Sequence, residues 1–284
     1  MEFINRSVED LKDFGASRHN DYVHADPFPN TYFDDFFIPE KLSEVLDEFP
    51  DLTKGADLTF HDANQVKLAS KGEYRFGPKT LQFMHFMNSQ PFLEFLSALT
   101  GIENLIPDPF FDGGGCHQIQ PGGMLKIHAD FNKHPTTKLD RRLNVLVYMN
   151  KDWKEEYGGH FEMWDRSIKQ CVKKVAPQFN RLVVFNTTDF SFHGHPDPLN
   201  CPPYRTRKSL ATFYYTNGRP DVELSGAHSS MYKARPGENF GRDGAKTDAL
   251  ATTYALAMDL LPPALIRTLA KARRRVRARQ KRGM

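Results

Sequence analysis

The sequence predicts a mainly β protein with flanking helices, and two observations support this. Between Leu105 and Asn217 short apolar runs are separated by Gly, Pro and Asn, at the spacing of an all-β sandwich or barrel. The region before Leu105 contains helical start and stop signals. The chain has 284 residues, 39% of them hydrophobic, and no apolar run that could span a bilayer. This length and this hydrophobic content are enough for a large packed core.

The elements before the β region follow from local signals. Residues 5–15 can form a short helix, and the run NTYFDDFFIP alternates well enough for a strand. PEKLSEVLDEFP begins at a proline, which suits the first turn of a helix. Residues 55–80 are turn-rich and predict a loop with short strands, a candidate cover for a site. QPFLEFLSALTG predicts a helix that Gly101 ends.

The β region contains six runs of strand composition. They are CHQIQ, MLKIHAD, LNVLVYMN, GHFEMWD, RLVVFNT and SLATFYYT. After Asn217 the chain is rich in Gly, Ser and charge, and a helix beginning at Pro262-Pro263 is predicted. We therefore predict three parts: an N-terminal helical or mixed region packed on the core (1–104), the β core (105–217), and an irregular connection with a basic C-terminal helix (218–284).

The net charge of +3 is unevenly distributed. From Ala264 onward there are nine Lys and Arg and no acid, so the remainder of the chain is acidic. We expect the tail to be solvated. The second hypothesis is that it binds an anionic membrane or glycolipid surface. We do not expect nucleic acid as a partner, because no aromatic platform accompanies the charges.

The cysteines and the N-terminus bear on location. Cys116, Cys171 and Cys201 are widely spaced and form neither a zinc pattern nor a disulfide framework. The N-terminus contains acids and lacks the apolar core of a secretory signal. We therefore expect a cytoplasmic protein, with the basic tail as the route to any peripheral membrane attachment.

A His-x-Asp pattern at His128 and Asp130 is the strongest functional signal. The pattern occurs four times, so context must select among the copies. Those at His19 and His24 lie in a polar stretch that runs into prolines, and the one at His195 contains Pro196, which argues against a central strand. Only His128-x-Asp130 follows an apolar strand start and precedes a further His and Arg at suitable distances.

This pattern predicts a metal site. Because successive strand side chains alternate between faces, His128 and Asp130 project the same way. A third ligand from a later strand, His193 or His195, would complete a facial triad of two histidines and one carboxylate. That arrangement is typical of non-haem Fe(II) oxygenases. His193 and His195 share strand parity, and we prefer His193 because Pro196 suggests that the strand ends beside His195.

Three further segments resemble the prolyl 4-hydroxylase-like family of Fe(II)/2-oxoglutarate dioxygenases. LDRRLNVLVYMNKDWKEEYGGHFEMWD is similar to the family's metal-site core, with Tyr148, Asn150, the Gly158-Gly159 hairpin and Phe161 at matching places. PQFNRLVVFNTTDFSFHG resembles the strand before the distal His, and RKSLATFYY the strand with the 2-oxoglutarate Arg. The resemblance implies a double-stranded β-helix (jelly-roll) core and Fe(II), 2-oxoglutarate and O₂ as cofactor and cosubstrates.

The resemblance also implies roles for individual residues. Arg207 would pair with the far carboxylate of 2-oxoglutarate through its planar fork of donors, assisted by the Tyr148 hydroxyl. Arg205 competes with Arg207, because PDPLNCPPY lengthens the interval after the distal His; we prefer Arg207, which directly opens the apolar strand. Candidate pocket-lining residues are Gln118, Gln120, Lys126 and Asn144, whereas structural or solvent-facing positions are expected for His117, His134 and His160.

These observations favour a hydroxylase. We expect hydroxylation of an unactivated C–H coupled to conversion of 2-oxoglutarate to succinate and CO₂. The substrate would be a peptidyl residue, an amino acid or another small metabolite or saccharide. Two alternatives remain: a catalytically silent jelly-roll binding protein, which the intact triad opposes, and a metal-dependent cupin-type isomerase, which would not need Arg207 and Tyr148.

Overall fold

A computed structural model describes residues 2–220, 223 and 226–238 of the chain. Two antiparallel sheets form its centre, and helices cover one of them. This confirms the predicted fold class, a mainly β protein with a jelly-roll core and flanking helices. The predicted C-terminal helix and its basic tail lie outside the described residues. No helix in the described ranges is long and apolar enough to cross a membrane.

The larger sheet has eight strands in the order β1-β10-β7-β12-β5-β3-β2, with β4 paired to β12. Three of them, β1 to β3, come from the region before Leu105, so the N-terminal part extends the sheet at both edges. The strands are β1 (Asn30–Phe33), β2 (Leu58–His61), β3 (Val66–Ala69), β4 (Ile106–Pro107), β5 (Gly115–Ile119), β7 (Asp140–Tyr148), β10 (Arg181–Asn186) and β12 (Arg207–Thr216).

The smaller sheet has five strands in the order β13-β6-β11-β8-β9. Apolar side chains of the two sheets meet between them, since Phe161 and Met163 cluster with Val183 and Phe185. This sheet contains the His-x-Asp segment at the end of β6. Its strands are β6 (Leu125–Ala129), β8 (Phe161–Trp164), β9 (Cys171–Val175), β11 (His193–His195) and β13 (Met231–Tyr232).

Five helices pack on the outer face of the larger sheet. The Ser7 hydroxyl caps the first helix and Asp10 completes a capping box, while Gly101, with φ +71°, ends the last one. Helical residues such as Phe92 and Leu96 share one buried cluster with Val145 and Leu210 of the sheet. The helices are α1 (Val8–Ser17), α2 (His19–Val23), α3 (Pro39–Asp47), α4 (Pro78–Met87) and α5 (Gln90–Thr100).

Several local predictions differ from the structure. The stretch around His19, predicted as loop, is the short helix α2, and the ring of His19 contacts the carbonyl of Leu99 at 3.1 Å. Helix α4 begins at Pro78, within the stretch 55–80 for which only a loop with short strands is predicted. The sequence does not predict strand β9 (CVKKV), because its apolar and polar residues do not alternate. Tertiary contacts decide these short elements, since their intrinsic signals are weak.

Candidate metal and cosubstrate site

Strands β6 and β11 place three potential metal ligands together. His128 lies on β6, Asp130 follows its last residue, and His193 pairs directly with His128 across the sheet. One ligand atom from each residue lies within 4.8 Å of the others. All three side chains are buried. The structure thus brings together the His128, Asp130 and His193 set that the sequence predicts.

Backbone carbonyls fix the orientation of both imidazoles. Nδ1 of His128 lies 2.8 Å from the carbonyl of Lys126, and Nδ1 of His193 lies 2.8 Å from that of Ser191. Because a carbonyl only accepts hydrogen bonds, Nδ1 carries the proton in each neutral ring. In that tautomer Nε2 keeps a free lone pair, and in both residues Nε2 lies 3.4 Å from an oxygen of the Asp130 carboxylate. Both rings are therefore oriented as metal ligands.

The Asp130 carboxylate is held in its ionised form. Its Oδ2 accepts hydrogen bonds from Asn144 Nδ2 and, at 3.3 Å, from Arg141 Nη2. Burial by itself would raise the pKa of Asp130, but the Arg141 guanidinium and the two histidines outweigh burial and hold it well below its usual range. Burial and the neighbouring His193 lower the pKa of His128. The centre therefore offers an anionic carboxylate between two imidazoles.

Arg141 is a site residue that sequence reasoning missed. Its guanidinium lies 3.5 Å from the ring centroid of Phe213 and 4.2 Å from that of Phe131, and it donates to Asn144 Oδ1. The β7–β12 register shifts between Tyr214 and Tyr215. This bulge places Arg141 on the same face as Asn144, three residues away. Simple alternation assigns residues 141 and 144 to opposite faces, so the sequence contained no direct signal.

Arg207 and Tyr148 form a second polar group. Arg207 is 5% exposed; its Nε donates to the carbonyl of Gly159 at 2.8 Å and its Nη2 to the Tyr148 hydroxyl at 3.1 Å. That bond uses the Tyr148 oxygen as acceptor and leaves its hydrogen able to donate. No acidic side chain within the described ranges forms an ion pair with Arg207. A buried guanidinium without a counter-charge is costly, so this end of the site suits a carboxylate.

The two competing residues occupy different positions. Arg205 lies at the surface, where its Nη1 donates to the carbonyl of Lys151 at 2.7 Å. His195 is buried beside the triad, but its ring nitrogens have no hydrogen-bond partner among the described residues and do not belong to the metal cluster. The geometry therefore favours His193 and Arg207 over His195 and Arg205.

The triad and Arg207 line the same cavity, whose volume is about 380 Å³. Asn144 also lines it, but its amide bonds Asp130 and Arg141. Gln118 does not: its side chain bonds the Leu52 amide and the Thr206 hydroxyl on the opposite face of β5. The prediction that Gln118 lines the pocket is therefore corrected. Gln120 is exposed and Lys126 pairs with Glu238.

The other histidines also occupy specific positions. His160 lies at the surface beside Glu155, and His134 is buried near Asp108, as structural or solvent-facing side chains do. His117 differs from the prediction, because it lines the cavity and bonds the carbonyl of Gly113 at 3.0 Å. Burial, assisted by Lys67, lowers the pKa of His117 to about 3, so its ring is neutral.

Gly159 provides a test of the Arg207 position. A Cβ at Gly159 would lie 2.5 Å from Leu199 Cδ2 and 3.0 Å from Arg207 Cδ, whereas a Cβ at Gly158 would meet nothing within 4 Å. Both glycines have positive φ, so alanine strains the backbone at either position. We expect Gly159→Ala to weaken 2-oxoglutarate binding several-fold relative to Gly158→Ala, measured by isothermal titration. Equal effects of the two would show that the contact with Arg207 is unimportant.

Comparison with known proteins agrees with this geometry. Residues 114–215 match the 2OG-Fe(II) oxygenase superfamily. The mouse (Mus musculus) prolyl 3-hydroxylase OGFOD1 is 27% identical over 131 residues, which cover 44% of this chain. The chain spans only 22% of the length of that relative. Residues 114–215 are therefore similar in sequence to 2OG-Fe(II) oxygenases, and part of the chain is similar to a prolyl 3-hydroxylase.

Two solved structures have a fold similar to that of this chain. A Pseudomonas putida prolyl-4-hydroxylase matches with a TM-score of 0.53 and 18% identity, over 72% of this chain and 100% of that one. A Trichoplax adhaerens prolyl hydroxylase, in complex with a hypoxia inducible factor peptide fragment, matches with a TM-score of 0.53 and 16% identity, over 73% and 91%. The described residues therefore have the fold of these prolyl hydroxylases.

The residues present fit the cofactor and cosubstrates of this superfamily, Fe(II), 2-oxoglutarate and O₂. Two imidazole nitrogens and one carboxylate form the facial set that ferrous oxygenases use. Arg207, which has no acidic partner among the described residues, suits together with Tyr148 the far carboxylate of a dicarboxylate. The orphaned ring nitrogens of His195 indicate that a polar ligand or water belongs in the same cavity.

Proposed function

We propose that this chain is an Fe(II)- and 2-oxoglutarate-dependent dioxygenase that hydroxylates an unactivated C–H bond. One observation carries the proposal: a preoriented His128–Asp130–His193 centre opens into the same cavity as a buried arginine without an acidic partner among the described residues. The first group of residues suits a metal with three open positions, and the second suits a dicarboxylate that would occupy two of them.

The protein's own part in this reaction is binding and orientation. His128, Asp130 and His193 would hold the iron, while Arg207 and Tyr148 would hold the far carboxylate of 2-oxoglutarate. Bound iron supplies the oxidative chemistry, in which O₂ delivers one oxygen atom to the substrate C–H and one to succinate as CO₂ leaves. Asn144 and Arg141 keep the Asp130 carboxylate ionised and fixed in position.

Aromatic side chains exclude water from the proposed iron site. The rings of Phe185 and Phe161 lie 4.7 and 5.3 Å from that of His193, and the Tyr232 ring lies 5.3 Å from that of His128. Tyr232 belongs to β13, which pairs with β6 at the edge of the smaller sheet, and it lines the cavity. A closed environment of this kind strengthens electrostatic contacts and limits side reactions.

The substrate class extends from peptidyl residues to free amino acids, small metabolites and saccharides. A peptide is supported by the Trichoplax adhaerens enzyme, which was solved with a peptide fragment, and by the local identity to a prolyl 3-hydroxylase. The cavity, about 380 Å³, leaves room for a substrate group beside the cosubstrate. The basic tail stays a candidate for binding an anionic membrane or glycolipid surface.

The deciding experiment measures succinate. Protein loaded with Fe(II) under anaerobic conditions would receive 2-oxoglutarate, O₂ and panels of proline-containing peptides, amino acids and saccharides. We expect a slow background conversion to succinate that one panel accelerates, with hydroxylated product in equal amount. Iron and 2-oxoglutarate binding without any succinate would favour the silent binding protein, and isomerised product without succinate would favour a cupin-type isomerase.

His193 and His195 can be separated by paired substitutions. We expect His193→Ala to abolish succinate formation and lower the bound iron, because it removes one of three protein ligands. His195→Ala should retain stoichiometric iron and lose activity only in part. Iron content by colorimetric assay and succinate by mass spectrometry measure both effects. The reverse order in iron content would assign the third ligand to His195.

A further inference from the structure

Lys67 is a cation of the cavity that the proposed reaction does not use. It lies on β3, in the hairpin that β2 and β3 add to the edge of the larger sheet. Phe60 is its direct cross-strand partner, and the Lys67 ammonium lies 5.0 Å from the Phe60 ring centroid. Both side chains are half-buried and line the cavity. The hairpin therefore presents a positive charge and an aromatic ring to whatever enters.

The other two cationic side chains of this cavity already have assignments. Arg141 bonds Asp130 and Asn144, and Arg207 is anchored by Tyr148 and Gly159 in a position to receive the cosubstrate. The Lys67 side chain forms no ion pair or hydrogen bond with any residue that the structure describes. Its charge therefore remains without a counter-ion, even when the proposed cosubstrate is counted.

The electrostatics of Lys67 agree with this imbalance. Burial lowers the pKa of Lys67 to about 8; Asp130 opposes the decrease, and Arg141 and Arg207 add to it. The ammonium is still largely protonated at neutral pH. A partly buried ammonium near two other cations gains from a further anion that replaces the lost hydration.

The neighbouring surface indicates what surrounds that anion. Leu58 and Phe60 of the hairpin line one part of the cavity, and Phe131, Phe213 and Leu146 line another. This combination suits a ligand with an apolar body and one negative group. Lys67 could instead bind a carboxylate of 2-oxoglutarate. This alternative is less favoured, because Arg207 and Tyr148 already bind the far carboxylate and the other carboxylate would bind the metal.

We propose that Lys67 recognises a carboxylate of the substrate, so that this enzyme acts on acidic substrates whose apolar part packs against the β2–β3 hairpin. The proposal rests on the proposed function and names the substrate class of the same site. The carboxylate could belong to an acidic side chain or be a terminal carboxylate, and the experiment distinguishes these two sources.

The test measures binding without turnover. Protein loaded with Fe(II) and 2-oxoglutarate is kept anaerobic, and equilibrium dialysis measures matched probes that differ in one charge. One pair is N-acetylproline and its amide; a second set consists of short peptides with Glu, Gln or Lys beside a proline. The variants are Lys67→Met, which keeps the chain length, Lys67→Glu, which inverts the charge, and Lys71→Met, a control at an exposed lysine outside the cavity.

We expect the wild type and Lys71→Met to bind the acidic members about tenfold more tightly than the neutral ones, the size of one modest charge pair. Lys67→Met should remove this preference, and Lys67→Glu should shift it towards the Lys-containing peptides. Preference within the N-acetylproline pair identifies a terminal carboxylate, and preference within the peptide set identifies an acidic side chain. Iron content and 2-oxoglutarate affinity should change little.

Three outcomes would overturn the proposal: no acidic preference in the wild type, binding of no probe at all, or a Lys67→Met variant that loses 2-oxoglutarate affinity and keeps the preference. The last would assign Lys67 to the cosubstrate. Succinate formation by the wild type, measured separately, tests the proposed function. An enzyme that forms succinate but shows no acidic preference would invalidate the inference about Lys67 alone.

Discussion

Asp130→Ala should abolish both iron binding and succinate formation. The substitution removes one of the three proposed metal ligands and the only anion among those three. It also leaves the Arg141 guanidinium buried without its carboxylate, and losing one partner of a buried pair costs about 3–5 kcal/mol. We therefore expect a lower free energy of unfolding as well, measured by chemical denaturation of metal-free protein.

Two further variants separate metal loss from misfolding. Asp130→Asn preserves the size of the side chain and should retain more of the fold while still losing iron. Asp21→Ala removes the carboxylate of another His-x-Asp copy, exposed on α2, and should leave iron content and activity unchanged. Full activity in folded Asp130→Ala would disprove the triad, and iron loss in Asp21→Ala would show that the wrong copy was chosen.

Arg207→Ala should weaken 2-oxoglutarate binding by at least roughly tenfold while iron remains bound. Truncating one partner of a desolvated charge pair costs about 2–5 kcal/mol, and each 1.4 kcal/mol or so corresponds to a factor of ten. The effect should appear in the Kd for 2-oxoglutarate by calorimetry and in the KM for its conversion. Arg207 is about 60 residues from Tyr148 in sequence, yet their side chains bond directly.

The matched control is Arg205→Ala. Arg205 donates to backbone carbonyls at the surface. Because solvent-exposed contacts of this kind contribute little, the 2-oxoglutarate affinity of Arg205→Ala should stay within about twofold of the wild-type value. If Arg205→Ala weakens 2-oxoglutarate binding and Arg207→Ala does not, the long interval after the distal histidine has been aligned wrongly.

The main site could be predicted because its ligands depend on local rules. Strand alternation places His128 and Asp130 on one side, and the apolar start of β6 distinguishes this copy of the pattern from the others. Alternation could not choose between His193 and His195, which share parity. Pairing of β11 with β6 made that choice, because it sets His193 opposite His128.

Gln118 shows why a prediction from the same rules was wrong. Its strand, β5, is buried on both faces: Ile119 lines the cavity, while Cys116 and Gln118 face the other way. A strand buried on both sides has no polar face that would reveal its orientation. The inward direction of β5 is therefore defined only by its neighbours, β3 and β12.

The sequence by itself determined the fold class, the His128-x-Asp130 pair, the residue types of the triad and the arginine that opens β12. These depend on periodicity and on the chemistry of side chains adjacent in the chain. Only the tertiary structure brought Arg141 to Asp130, through a bulge that reverses alternation, and placed Lys67 over the cavity, through a hairpin at the sheet edge. Register shifts and sheet edges arise from contacts between distant segments, and local sequence does not encode those contacts.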